Sequence, residues 1–338
     1  MGKKRIMVTG GAGYIGSTLS RELLARNYKV LVIDNLMYGG NGVRPFLNHP
    51  CYEYRKGDIR DKVFMKDSME DVDNVVHLAS IVGDVPCKRN PTLSIDVNLN
   101  ATRSCYLLAK EQGVKKFIFA STCSNYGVSD TSIPVTETDT LNPVSLYAET
   151  KVDAESFFIN EFKKTDMVTT IFRFSSAFGL SARTRYDLLI NSFTFEALRD
   201  KKMMVFAPYT WRPYIHVLDI SYVIIRALEA DSSLVHGQIF NAGNTNMNFQ
   251  KFEVVEAIQK TLDDNVEVKL VTDTDDPRTY RVDFTKVETV LGFNVVKTIE
   301  DGISEIALAK RTGVITFEDF ESNTLESISE IARKFEGR

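Results

Sequence analysis

Tyr147 and Lys151 have the residue types and the spacing needed for proton transfer. Positions i and i+4 of a helix share one face, so the phenol and the ammonium would lie close together. A phenol has a pKa of about 10 and is a poor base at neutral pH, but a neighbouring positive charge stabilises the phenolate and lowers that pKa. The pair is therefore a candidate acid–base device, although pairs at this spacing are often only a solvated helix face.

Hydroxyl side chains upstream of this pair favour the catalytic interpretation. Ser121, Thr122 and Ser124 lie in a run that directly follows a predicted strand. Open α/β sheets bind ligands at the carboxyl ends of their strands. A hydroxyl there could polarise the same substrate oxygen that Tyr147 protonates or deprotonates.

Three glycines near the start of the chain predict a dinucleotide site. Gly10, Gly13 and Gly16 lie between a short apolar run and an amphipathic segment. Glycines at a strand–helix junction let the backbone turn tightly and approach a pyrophosphate, which then sits on the helix N-terminus. The spacing G-x-x-G-x-x-G differs from the G-x-G-x-x-G of the commonest dehydrogenases, and glycines alone also serve ordinary turns.

Asp34 indicates which dinucleotide is bound. It lies 18 residues after Gly16, at the end of the second predicted strand. A carboxylate there accepts hydrogen bonds from ribose hydroxyls and repels a 2′-phosphate. Residues 35–38 supply no Lys or Arg to hold such a phosphate, so we predict NAD rather than NADP. Asp34 could instead be a turn residue, and Asp58 could either bracket the adenine or be an ordinary loop residue.

The composition is that of a globular protein with near-balanced charge. The 338 residues are 43% hydrophobic, with 41 Lys and Arg against 45 Asp and Glu. This argues against nucleic acid or an anionic membrane as the main partner. Four scattered cysteines and four histidines make a metal site or a disulfide framework unexpected, and reduced thiols favour a cytoplasmic location. We find neither a signal-peptide core nor an apolar stretch of about 20 residues that could span a bilayer.

Short β-branched runs alternate with amphipathic segments, which predicts an α/β fold with a Rossmann-type, doubly wound parallel sheet. Predicted strands are 5–9, 29–33, 52–56, 74–78, 116–120 and 169–174. Predicted helices between them are 14–26, 62–69, 92–112 and 147–163. We expect residues 1–175 to form the NAD-binding domain and 176–338 a smaller C-terminal α/β substrate lobe, with some elements returning to the main sheet. In that lobe we predict helices 187–199, 220–230 and 249–262, strands 214–217, 238–241 and 266–271, and a helical tail from 317 to 338.

Taken together, the motifs resemble the extended short-chain dehydrogenase/reductase family, in particular its nucleotide-sugar epimerases and dehydratases of the UDP-glucose 4-epimerase type. The resemblance runs from about residue 4 to beyond residue 293. It rests on residues 9–16, 57–59 and 77–79, Asn98, residues 121–122 with 126–127, Tyr147 with Lys151, Arg212 with residues 214–217 and Asp219, and residues 276–283.

The resemblance implies a tightly held NAD and a nucleotide-diphosphate sugar as substrate. Tyr147 would be the base, Thr122 its hydroxyl partner, and Lys151 the residue that anchors the nicotinamide ribose. Expected cofactor contacts are Gly10, Gly13, Tyr14, Ile15, Gly16, Asp34, Asn35, Asp58, Ile59, Leu78, Ala79, Ser80, Asn98, Tyr147, Lys151 and Ser175. Expected substrate contacts are Val82, Gly83, Asp84, Thr122, Ser176, Arg185, Asn191, Arg212 and Arg278.

Two departures from the family pattern bear on the reaction. The 4,6-dehydratases carry an Asp-Glu pair just after the active-site Thr, whereas this chain has Cys123 and Ser124 there. Elimination of water would lack its acid and base. Cys123 could be a small core residue, which we favour, or an acid/base for deprotonation next to a ketone, with Ser124 as a further candidate. Ser176 replaces the Asn of many relatives. Arg183 or Arg185 could contact a phosphate or a carboxylate, or could equally be charges at the start of a helix.

We therefore expect an NAD-dependent epimerase that acts through a transient 4-keto sugar. The alternatives are a 4-ketosugar reductase, a dehydratase, a decarboxylase of nucleotide-uronic acids and a non-catalytic NAD-binding protein. The resemblance also suggests a homodimer packed through helices 92–112 and 147–163. Leu107, Leu108, Phe157 and Phe158 could serve that interface or the core.

Overall fold

The structure is a computed structural model that describes residues 4–263, 265–272, 276 and 278–322. Its strands are β1 (Arg5–Thr9), β2 (Lys29–Asp34), β3 (Tyr52–Lys56), β4 (Asn74–His77), β5 (Lys116–Thr122), β6 (Val168–Phe174), β7 (Ser176–Phe178), β8 (Lys202–Phe206), β9 (Trp211–His216), β10 (Gln238–Ala242), β11 (Asn248–Gln250) and β12 (Glu267–Val271). Its α-helices are α1 (Tyr14–Ala25), α2 (Lys62–Ser68), α3 (Asp84–Arg89), α4 (Pro91–Ile95), α5 (Thr102–Glu111), α6 (Leu146–Glu161), α7 (Leu189–Asp200), α8 (Val217–Glu229), α9 (Ser232–Val235), α10 (Lys251–Leu262), α11 (Thr285–Leu291), α12 (Ile299–Arg311) and α13 (Phe317–Ser322).

Seven parallel strands form the central sheet in the order β10-β6-β5-β4-β1-β2-β3. Every residue of β6 is buried, as expected for a strand covered by helices on both faces. The strand order reverses beside β1, which has β2 on one side and β4 on the other. In such sheets the crevice at the carboxyl ends of the strands at that reversal binds the ligand. The predicted fold class is confirmed.

The smaller lobe has its own core. A three-stranded sheet orders β11-β9-β7, and β8 pairs with β12. Helices α7, α10 and α12 pack around a cluster of buried residues that includes Phe178, Tyr214, Ile258 and Ile303. Strand β10 lies between β9 and β11 in the sequence, but it pairs with β6 and so extends the main sheet.

Several predicted boundaries were wrong, each for a local reason. The predicted helix 92–112 is interrupted by a π-helical turn, Asp96–Ala101. The prediction missed this turn because the spacing of apolar residues does not reveal one added residue in a helical turn. The predicted helix 249–262 begins at Lys251, since Asn248–Gln250 pairs with β9 as β11. Strands β7 and β8 were not predicted: β7 has three residues and β8 carries polar or exposed positions at alternate residues.

Other predicted elements shift by a few residues. Strand β5 extends to Thr122, and β9 begins at Trp211 instead of residue 214. Helix α7 begins at Leu189 because Asp187 is engaged by Arg185 before the helix starts. Of the predicted tail helix, only Phe317–Ser322 lies within the described residues, where it is helical. None of the described helices is both long and apolar enough to cross a bilayer.

Candidate active site

A cavity of ≈ 350 Å³ lies at the carboxyl ends of the central strands. The glycine loop after β1, the segment after β4 and the end of β5 line one part of it. Residues from the loop between β7 and α7, together with Arg278, line the side that belongs to the smaller lobe. The cavity therefore joins residues that are far apart in the sequence.

The glycine loop is packed too tightly for side chains. Gly10 has a φ of +70°, and a Cβ there would lie 2.8 Å from the Ala79 backbone nitrogen. A Cβ on Gly16 would lie 2.4 Å from the Gly10 carbonyl oxygen. Gly13 precedes α1 and provides no side-chain hydrogen bond to its first turn, so the N–H groups there are available to an anion. This cradle fits the pyrophosphate of a dinucleotide.

Asp34 lies at the cavity wall and is held by two backbone groups. Its oxygens accept hydrogen bonds from the Ala12 nitrogen at 3.0 Å and the Leu36 nitrogen at 2.8 Å. Burial raises the pKa of Asp34, and these two hydrogen bonds oppose that rise. Asp34 therefore shapes its own turn and also faces the cavity, so the two interpretations of the sequence are compatible.

The region beside Asp34 supplies the remaining predicted adenosine contacts. Asn35, Asp58 and Ile59 line the cavity. Asp58 pairs with Arg60 at 2.8 Å, and this guanidinium holds the pKa of the Asp58 carboxyl below its usual range even though burial acts the other way. The wall of this part of the cavity is polar at the ribose end, which fits NAD.

The three predicted catalytic groups come together at the other end. Thr122 ends β5, and Tyr147 and Lys151 lie on α6. The Lys151 Nζ donates to the Ala120 carbonyl oxygen at 2.9 Å and lies 5.9 Å from the centroid of the Tyr147 ring. Burial lowers the pKa of Lys151 to about 8. A pKa this near neutral suits a lysine that takes part in proton balance.

Arg185 is a second cation at the phenol. Burial raises the pKa of Tyr147, and the Arg185 guanidinium opposes this rise most strongly, with a hydrogen bond to Thr122 acting in the same direction. Arg185 is itself held by Asp187 through two hydrogen bonds, one of them between Nε and Oδ1 at 3.0 Å. The sequence interpretation assigned the charge effect to Lys151, whereas the structure gives the larger effect to Arg185.

Cys123 does not reach the cavity. Its Sγ is buried and donates to the Arg173 carbonyl oxygen at 3.2 Å, and burial raises the pKa of the thiol. A thiol in this environment is a core group, so the geometry corrects the alternative that Cys123 is an acid/base. Ser124 does line the cavity, where its Oγ accepts a hydrogen bond from the Tyr280 hydroxyl at 3.5 Å.

Most of the residues expected to contact the substrate line the cavity. Val82, Gly83, Asp84, Ser176, Arg185 and Arg278 all line it. The Arg278 Nη1 lies 2.6 Å from the Asp84 Oδ2, which ties the segment after β4 to the smaller lobe. Asp84 had no partner that the sequence could identify, because Arg278 is 194 residues away.

Three predicted contacts lie behind the cavity wall. Asn98, in the π-helical turn, accepts hydrogen bonds from the Ile81 nitrogen and the Ser80 hydroxyl, both at 2.8 Å. Asn191 holds the Gly179 backbone, and Arg212 pairs with Asp276 at 2.8 Å. Asn98, Asn191 and Arg212 do not line the cavity. Each instead forms hydrogen bonds with residues that do: Ser80 and Ile81, Arg185, and Arg278, respectively.

Some residues at the site were missed. Tyr38 and Asp187 line the cavity, and Glu155 lies beneath it, buried against Arg173. Glu155 follows Lys151 by four residues on α6, a spacing that places it on the same helix face and could have revealed it. Asp187 lies two residues after Arg185, its partner, and this spacing was a local signal as well. Tyr38 carries no such signal, since its place in the wall depends on the loop that stacks on it.

Comparison with known proteins bears directly on this site. A model of the NAD dependent epimerase/dehydratase family matches residues 6–243. UDP-glucuronic acid decarboxylase 6 of Arabidopsis thaliana is 30% identical over 309 residues, which are 88% of this chain and 86% of that protein.

Two solved structures are similar over nearly the whole chain. One is dTDP-glucose 4,6-dehydratase from Bacillus anthracis in complex with NAD, with a TM-score of 0.82, 26% identity, and coverage of 94% of this chain and 99% of that one. The other is UDP-glucose 4-epimerase from Thermotoga maritima with UDP-glucose, with a TM-score of 0.82, 25% identity, and coverage of 92% and 100%. The matching family uses NAD, which confirms the predicted cofactor. Because the family model spans well over half of its residues, this chain belongs to the NAD dependent epimerase/dehydratase family.

Proposed function

We propose that the chain is a nucleotide-sugar epimerase that acts through a transient 4-keto sugar. The carboxyl groups of the cavity carry this proposal. Four aspartates line the described part of the cavity, and each is engaged: Asp34 by backbone nitrogens, Asp58 by Arg60, Asp84 by Arg278 and Asp187 by Arg185. No carboxyl group remains to protonate a leaving hydroxyl within these described residues.

This inventory favours epimerisation over elimination of water. Elimination next to a ketone needs one group to remove a carbon-bound proton and another to protonate the departing hydroxyl. The positions after Thr122 hold a core thiol, Cys123, and a hydroxyl, Ser124, neither of which suits those tasks. Epimerisation at C4 needs only one proton transfer at the sugar oxygen, which Tyr147 can provide.

The residues of the chain divide the remaining work. Tyr147 takes the proton of the 4-hydroxyl and later returns it, while Thr122 bonds to the phenol and orients it. The Lys151 ammonium and the Arg185 guanidinium favour the phenolate during this step. The glycine loop and Asp34 would hold NAD, which when bound would supply a reversible hydride acceptor for C4 of the sugar.

Arg278 is the proposed contact for the diphosphate of the substrate. It lines the cavity and is one-third exposed, unlike the buried Arg212. A guanidinium binds phosphate oxygens in a bidentate manner. The similar proteins named above act on UDP- and dTDP-sugars, so we propose a pyrimidine diphosphate sugar as substrate.

Incubation with a panel of UDP-, dTDP-, GDP- and CDP-sugars, followed by mass spectrometry and proton NMR, tests the proposal. A changed stereocentre at unchanged mass is expected for one of them, with Tyr147→Phe as the inactive control. Running the reaction in D₂O locates the change: inversion at C4 by hydride return leaves no deuterium on carbon, whereas 3,5-epimerisation introduces it. Loss of water, or steady oxidation of added NADH, would contradict the proposal.

Decarboxylation of a nucleotide-uronic acid is the second candidate. A 4-keto uronic acid loses carbon dioxide without an additional carboxyl acid, so the cavity does not disfavour it. Arg185 beside Tyr147 provides a cation for a sugar carboxylate, and one similar protein is a UDP-glucuronic acid decarboxylase. Release of carbon dioxide from UDP-glucuronic acid, with no 4-epimer formed, would establish this activity instead.

We also propose that the chain forms a homodimer through α5 and α6. Phe158 is fully buried within the chain and serves the core, whereas Leu107 on α5 is 49% exposed. Leu108 and Phe157 are partly buried beside the core. Light scattering should find a dimer, and Leu107→Glu should convert it to monomer; a monomeric wild-type protein would contradict the proposal.

A further inference from the structure

Arg183 is a buried cation in the cavity that the reaction described above does not use. It lies in the loop between β7 and α7, lines the cavity and is 8% exposed. Its guanidinium carbon lies 4.6 Å from the centroid of the Tyr38 ring, a stacking arrangement typical of Arg on an aromatic face. Because Tyr38 belongs to the loop that follows Asp34, this contact places Arg183 at the cofactor end of the cavity.

Arg183 differs from the other arginines of the described cavity wall. Arg60, Arg185 and Arg278 each pair with an aspartate. The Arg183 guanidinium makes no hydrogen bond or ion pair with a described residue, and its Nε is buried without a partner. Burial and the nearby Arg185 charge lower its pKa, whereas Tyr38, Asp187 and Asp34 act in the other direction through their charge alone, without a hydrogen bond to the guanidinium. A buried guanidinium whose N–H groups make no hydrogen bond is costly, which indicates that an anion of a ligand completes the site.

The loop that carries Arg183 is fastened above the glycine loop. The Tyr14 hydroxyl, from the first residue of α1, donates to the Gly179 carbonyl oxygen at 2.7 Å. Asn191 accepts from the Gly179 nitrogen at 2.9 Å and donates to the Arg185 carbonyl oxygen at 2.8 Å. These bonds fix both ends of the segment that contains Arg183 relative to the start of α1.

The Tyr38 loop is also packed on the glycine loop. A Cβ on Gly42 would lie 2.0 Å from the Ala12 carbonyl oxygen, so the two backbones are in direct contact. Arg183 is thus stacked on a loop that touches the glycine cradle. The anion that the cradle is built to receive is a pyrophosphate.

We propose that Arg183 of the smaller lobe binds the pyrophosphate of NAD and so closes the cofactor site from the side opposite the N-terminus of α1. A planar guanidinium can bridge two phosphate oxygens, and its stacking on Tyr38 holds it in place before the cofactor arrives. Arg185, two residues later, lies at the phenol of Tyr147 and belongs to the reaction end. The proposal rests on NAD binding alone and is independent of which sugar is converted.

Calorimetric titration of protein stripped of its nucleotide with charcoal tests the proposal. Arg183→Gln should weaken binding of NAD and of ADP-ribose about 10- to 100-fold, the effect of losing charge-assisted hydrogen bonds. Binding of UDP to the NAD-saturated protein should be unchanged. Arg44→Gln is the matched control, since it removes the same charge from an exposed position and should leave NAD affinity as it is.

Two outcomes would overturn the proposal. Unchanged affinity of Arg183→Gln for NAD would make the guanidinium a packing group, and a loss of UDP affinity instead would assign it to the substrate diphosphate. If Arg183→Gln gives no cooperative melting transition, Arg183→Lys supplies the same comparison: it keeps the charge but loses the fork, so NAD affinity should fall by a smaller factor while UDP affinity stays constant. Because no sugar is converted in these titrations, their result does not depend on the proposed epimerase activity.

Discussion

Replacing Glu155 by glutamine tests the polar network that lies beneath the active site. The Glu155 carboxylate accepts hydrogen bonds from Arg173 through Nε and Nη2, from Asn125 at 2.9 Å and from Ser121. The side chains of Glu155 and Arg173 are 1% and 4% exposed. Glutamine keeps the shape of the side chain but leaves the buried Arg173 charge without a counter-charge.

The expected cost follows from that burial. Removing one partner of a buried ion pair typically destabilises a protein by about 3–5 kcal/mol, because the remaining charge stays buried. For a chain of 338 residues the Tm should fall by about 4–7 °C. The change should also reduce turnover, since Ser121 precedes Thr122 in the chain and Glu155 shares α6 with Tyr147.

Thermal and urea unfolding at a fixed NAD concentration measure the cost. Glu111→Gln is the control, since Glu111 pairs with Lys66 on the surface and both side chains are at least half exposed, so its unfolding should match the wild type. A Glu155→Gln protein that unfolds within about 1 kcal/mol of the wild type would refute the reasoning, because the pair would then be screened in a way that its burial does not allow.

Three further predictions concern the groups in the cavity. Tyr147→Phe should abolish turnover and leave the NAD that copurifies with the protein unchanged, measured by absorbance after denaturation; substantial remaining turnover would contradict the role of the phenol. Lys151 has its pKa lowered from 10.5 to about 8, so its buried ammonium costs stability below pH 8 and this cost disappears as pH rises to 10.5. The stability advantage of Lys151→Met over the wild type should therefore shrink by about 3 kcal/mol across that window in urea titrations, and a constant difference would contradict it. Arg278→Met should weaken UDP binding about 10- to 100-fold without affecting NAD, as calorimetry would show, whereas an equal loss for both ligands would indicate a disturbed fold.

The sequence was sufficient for the features that depend on neighbouring residues. The glycine cradle, Asp34 at the end of β2 and the Tyr147–Lys151 face of α6 each follow from spacing within one strand–loop–helix unit. The relative positions of these residues depend on the period of the strand or helix that carries them, and this period can be recognised in a single sequence. The parallel direction of the strands in the main sheet follows in turn from the alternation of strands and helices.

Features that depend on packing between distant segments were not predictable in the same way. The sequence identified Asp84 and Arg278 as separate contacts, but not that they form an ion pair. The sequence also did not determine whether the Cys123 side chain faces the cavity or the core, because at the end of a strand this depends on the twist of the turn that follows. Asn98 was expected to contact the cofactor, whereas the π-helical turn directs its amide to the Ile81 backbone.

The division of the site between the two lobes has a consequence for the chemistry. The Rossmann lobe supplies Thr122, Tyr147 and Lys151, the three proposed catalytic groups. The smaller lobe supplies Arg185, which lies at the phenol, and Arg278, the proposed contact for the substrate diphosphate. Arg185 is the charge that most favours the Tyr147 phenolate, and its loop is bonded through Gly179 to the first residue of α1. Docking of the smaller lobe against the glycine loop therefore places a cation at the phenol, where it opposes the rise in the pKa of Tyr147 that burial causes.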